Sequence, residues 1–119
     1  MYSNDMKMKQ VKQLYNDINS LCFNDELLPC KIRKTRNTRA LAYFHIRRSI
    51  PIIEININLI IHYEYSVIEI LLHEMLHFWQ CINDLESDDT DHNKNFIDSM
   101  YKLCNTLNIE PLHTREAYP

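Results

Sequence analysis

His73, Glu74 and His77 form a His-Glu-x-x-His stretch within Ser66-Val67-Ile68-Glu69-Ile70-Leu71-Leu72-His73-Glu74-Met75-Leu76-His77-Phe78-Trp79-Gln80-Cys81. Four residues along a helix is about one turn, so both imidazoles leave the same side, ~6 Å apart along the axis. Two ring nitrogens can then reach one ion at about 2.0–2.1 Å each. Glu74 cannot point the same way as both histidines. It flanks the ion, where a general base for metal-bound water belongs. The plain alternative is two histidines on the polar shoulder of a core helix, with Glu74 solvated. At this chain's histidine and glutamate frequencies the pattern arises by accident in roughly one such chain in fifty. A third histidine favours the metal. His92 lies four residues before Phe96 and shares the buried face of a following helix at its first turn. Three neutral donors with one open position make the arrangement of a catalytic zinc. Asp91 and Asp98 are the rival third ligands.

Several elements must position these groups. Ile68, Leu71, Leu72, Met75, Leu76 and Trp79 make one face of the central helix. Ser66 with Glu69 reads as its capping box. A first helix is expected from about Asp5 to Cys22, with Val11, Leu14, Tyr15, Ile18, Leu21 and Cys22 as its stripe and Ser3, Asn4 or Asp5 as its cap. Pro29 ends the turn that follows. Three strand candidates come next: Cys30 to Arg36, the alternating run Arg39 to Arg48, and Ile52 to Asn58. Their short connections predict an antiparallel meander. Leu59 to Tyr63 leads into the His-Glu helix. An acidic loop over 83–91 precedes a helix from about His92 to Leu107, capped by Thr90 or Asp91. The expected architecture is α+β, three main helices with a small three-stranded antiparallel sheet, as a single domain over 1–119.

The 119 residues contain no glycine, so Asn, Asp or Pro must serve every tight turn. Cys22, Cys30, Cys81 and Cys104 form no C-x-x-C pair and read as small buried hydrophobes in a reducing compartment. No run approaches a membrane span, and the first residues lack a signal-peptide core. A cytoplasmic monomer is expected, or a nuclear one in a eukaryote; secretion is not. The formal net charge of −3 hides an asymmetry. No acidic residue occurs between Glu26 and Glu54, an interval holding Lys31, Arg33, Lys34, Arg36, Arg39, Arg47 and Arg48. That is a candidate basic face for a polyanion.

Leu72-His73-Glu74-Met75-Leu76-His77 and, fifteen residues after His77, Asp91-His92-Asn93-Lys94-Asn95-Phe96 carry a family resemblance. The chain resembles the SprT-like, Spartan-type metalloprotease domain. Asn93 stands where that family's third-histidine motif has glycine. Phe23-Asn24-Asp25-Glu26-Leu27 is similar to the family's opening. The resemblance implies a zincin-like zinc endopeptidase, with His73, His77 and His92 as Zn2+ ligands and Glu74 as base. It also implies protein or peptide substrates, DNA-crosslinked proteins among them, and gives the basic interval a DNA-facing role, single-stranded DNA first. Tyr43 and Phe44 are then candidate stacking faces. The four cysteines within these residues do not form the family's cysteine zinc ribbon. The alternative is a non-catalytic, zinc-stabilised nucleic-acid-binding module using the basic 31–48 strands.

Overall fold

Val11, Leu14, Tyr15 and Ile18 recur at helical spacing and are all buried, which builds α1 (Met8–Phe23). The computed structural model describes residues 7–83 and 94–111. Lys7 sits at the N-cap of α1; Ser3, Asn4 and Asp5 lie outside the described residues. Leu21, expected on the buried stripe, is 64% exposed, and Phe23 takes its place in the core. The helix stops because Asn24 and Asp25 turn left-handed, at φ 53° and 61°, and the Asp25 N–H donates back to the Asn19 carbonyl. Asparagine and aspartate tolerate that region with little penalty.

Among the described residues the sheet has three strands: β1 (Lys31–Lys34), β2 (Ala42–Arg47) and β3 (Ile50–Ile55). Its spatial order is β1-β3-β2. β2 and β3 form the expected antiparallel hairpin, but β1 pairs with β3 in parallel, so the sheet is mixed and not the predicted meander. The reason lies in β3. Ile52, Ile53 and Ile55 are all buried, so this strand is apolar on both faces and belongs in the middle. Pro51 is tolerated there because it precedes Ile52, the residue opposite the start of β1. The hairpin turns on Arg48 and Ser49, with φ 51° and 65°. Two-residue turns of this kind need positive φ at both positions. Asn and Asp were expected to carry all such conformations; Arg48, Ser49 and Glu64 share them.

Between β3 and the central helix lies a short helix not foreseen from the sequence, α2 (Ile57–His62), capped by the Asn56 side chain, which accepts from the Leu59 N–H at 3.0 Å. The central helix is α3 (Val67–Ile82), and α4 (Lys94–Thr106) follows. The architecture is thus α+β, with four helices among the described residues. Leu71, Leu72, Met75 and Leu76 of α3 pack with Phe96, Met100 and Cys104 of α4 in one core. Among the described residues no helix is long and apolar enough to cross a membrane. Cys104 is buried and the other three cysteines are half-buried.

The start of α3 is fixed by Ser66, whose hydroxyl accepts from the Glu69 N–H at 3.2 Å. Replacing Ser66 with alanine is expected to destabilise the protein by about 1 kcal/mol, measured by urea unfolding. No change in the unfolding midpoint would show that packing alone holds this end.

Candidate metal centre

α3 carries His73, Glu74 and His77 across the middle of the molecule, where it packs against β2 and α4. The spacing expected from one helical turn is realised closely. Nε2 of His73 and Nε2 of His77 converge to 3.2 Å. Two nitrogens held at about 2.0–2.1 Å by a tetrahedral ion stand roughly 3.3–3.4 Å apart, so the pair already has the edge length such an ion requires. His73 is buried and His77 half-buried.

Phe96 of α4 fixes both rings. It stands edge-on to His73 at 4.8 Å and stacks on His77 at 4.5 Å between centroids. The start of α4 is thereby held against the histidine pair. His92, the sequence-derived third ligand, and its rival Asp91 lie outside the described residues. The other rival, Asp98, is exposed on α4. Among the described residues no group of three His, Cys, Asp or Glu side chains is placed to hold an ion.

Glu74 is only 5% exposed, which rules out the solvated carboxylate of the plain alternative. Burial pushes its carboxyl up to about 8, against the opposing pull of a hydrogen bond from the Phe44 backbone N–H. That donor has a clear origin. The Asn56 N–H donates to the Leu41 carbonyl, so Leu41, Tyr43, His45 and Arg47 turn their backbone groups toward β3. Ala42, Phe44 and Ile46 turn theirs outward, along the free edge of β2. No residue type signals a backbone donor of this kind, and sequence reasoning missed it. It also missed the clamp by Phe96, although the four-residue step from His92 to Phe96 was a usable sign.

A family model for the SprT-like family matches residues 11–115. The chain belongs to the SprT-like family. Comparison with curated proteins finds no match. As a SprT-like chain it is a metalloprotease-like domain, and the match runs from within α1 to beyond the end of α4.

The basic interval is not one cluster in this SprT-like domain. Lys31 and Lys34 are exposed on the edge strand β1, Arg36 and Arg39 on the loop after it, and Arg47 and Arg48 at the hairpin. Arg33 is half-buried and lies 3.9 Å from Glu54, which also meets His45 Nε2 at 2.8 Å. Burial pushes the Glu54 carboxyl up, but hydrogen bonds from Tyr43 and His45 and the charge of Arg33 outweigh it and hold it below the usual range. The two proposed stacking faces separate. Tyr43 stacks on His45 at 5.3 Å, outside the sheet. Phe44 stacks inward on Phe78 at 5.0 Å, because the alternation of β2 points it at α3, and is not offered to a base.

Proposed function

We propose that this chain is a zinc endopeptidase in which Glu74 is the general base and His73, His77 and His92 are the ligands. The observation that carries the reading is the buried Glu74, the residue after His73, on the helix whose two imidazole nitrogens stand 3.2 Å apart. The clamp of Phe96 on both rings supports His92, because that residue precedes Phe96 by one helical turn in the sequence. Zinc in such a site activates a water molecule and polarises a carbonyl. The rest of the work falls to the chain. A bound cation would favour the ionised carboxylate, and Glu74 would then take up a proton at its carboxyl oxygen and return it to the leaving amine. The Phe44 N–H holds that carboxyl in place. The outward backbone groups of Ala42 and Ile46, with the Phe44 carbonyl, offer an extended substrate an edge to pair with. A zinc-stabilised module with no catalysis would have no need to bury a carboxylate here.

Cleavage of a denatured protein by the purified chain tests this. Activity is expected to vanish on treatment with a zinc chelator and to return when zinc is added. Cleavage that a chelator leaves untouched would contradict the reading.

A polyanion-facing role stands as a second reading. Lys31, Lys34, Arg36, Arg39, Arg47 and Arg48 are all exposed, and Arg33 is the member of the interval with an ion pair among the described residues. Single-stranded DNA, and proteins attached to it, are the partners this surface suits. Binding should then weaken steeply with salt.

A further inference from the structure

Away from the histidine helix, a pocket of roughly 390 Å³ opens between the loop after β1 and the short helix α2. Arg36, Thr38, Asn56, Asn58, Leu59 and His62 line it. We propose that this pocket binds a phosphate group. The proposal stands apart from peptide hydrolysis, since a chain that cleaves nothing would still hold phosphate here.

Four observations support it. The first is charge. The lining has a guanidinium and an imidazole, and no carboxylate among the described residues that form it. Arg36 makes no ion pair among the described residues and is exposed, so its planar fork is available to an oxyanion. The second is donor supply: the Thr38 hydroxyl and the Asn58 amide add neutral donors.

The third is pre-organisation. The Asn56 side chain braces both walls at once. Its amide donates to the Asn37 carbonyl at 2.8 Å, and its oxygen accepts from the Leu59 N–H at 3.0 Å. Three further bonds shape the loop. The Thr35 N–H reaches the Ile55 carbonyl at 3.0 Å, the Asn37 N–H reaches the Thr35 hydroxyl at 3.2 Å, and the Arg39 N–H reaches the Asn37 side chain at 2.9 Å. A loop tied down this way loses little freedom on binding. The fourth is position. The pocket opens just beyond the carboxyl ends of β1 and β3, so the sheet anchors the chain entering both of its walls.

The test is a two-dimensional NMR titration of the full chain with inorganic phosphate and, separately, with a short oligothymidylate. Saturable shifts at Arg36, Thr38, Asn58 and His62 are expected. Arg36→Gln should weaken them at least about tenfold, and Lys12→Gln, exposed on α1, should not. His62→Gln gives a second, independent lesion at the opposite wall. The same shifts with the oligothymidylate identify a backbone phosphodiester as the source. Shifts with inorganic phosphate alone identify a free phosphate or monoester. No saturable shift from either probe, or equal weakening by Lys12→Gln, overturns the assignment.

Discussion

Glu74→Gln is expected to lower kcat/KM for a denatured protein substrate by roughly 10²- to 10⁴-fold while leaving zinc bound. The substitution keeps the shape of the side chain and a carbonyl oxygen to accept from the Phe44 N–H. It removes only the capacity to take up a proton. The histidine pair sits on the same helix and is clamped by Phe96, so its geometry should persist. Assay of cleavage beside metal content, with circular dichroism as a check on folding, decides the matter. An unchanged rate in a zinc-loaded variant would remove Glu74 from the chemistry. Loss of zinc together with activity would show that Glu74 supports the site and does not act in it.

The second large effect concerns stability of the metal-free protein. Burial raises the Glu74 carboxyl to about 8 in the folded chain, against 4.5 when exposed. Between those pH values the folded state keeps a proton that the unfolded state has released. Stability from this source is therefore full below about 4.5 and is lost as pH rises through about 8. The span corresponds to roughly 3–5 kcal/mol. Urea unfolding in chelator at pH 5 and pH 8 should show the wild-type protein losing stability across this interval. Glu74→Gln should lose much less, because a neutral amide has no proton to release. Cys30, pushed up to about 12 by burial, ionises beyond this window in the folded protein. Parallel slopes for the two proteins would mean that water reaches the carboxyl.

The parts of the fold visible in the sequence are those with a local signature. α3 could be read from Ser66, its cap, and from an unbroken apolar stripe. His73, Glu74 and His77 followed at once, because helical spacing alone brings two imidazoles together. The hairpin of β2 and β3 was visible in the alternation from Arg39 to Arg48. The place of β1 was not. Parallel pairing is a choice among partners distant in sequence, and only the two-sided apolar character of Ile52, Ile53 and Ile55 hinted that β3 would be central. α2 escaped notice because six residues are too few to show a helical period. Its one local sign was Asn56 ahead of it, a good N-cap residue. The sequence marked a basic interval, yet it could not show that Glu54 lies across the sheet from Arg33.

The most direct test of the metal reading is the zinc content of the purified chain, measured for the wild-type protein and for His92→Ala. The wild-type chain should hold one zinc. The His92→Ala chain should bind it more weakly by at least the about 10–100-fold that loss of a mere outer-shell partner causes. A His92→Ala protein that keeps its zinc at unchanged affinity, or a wild-type chain that takes up none, would contradict the account.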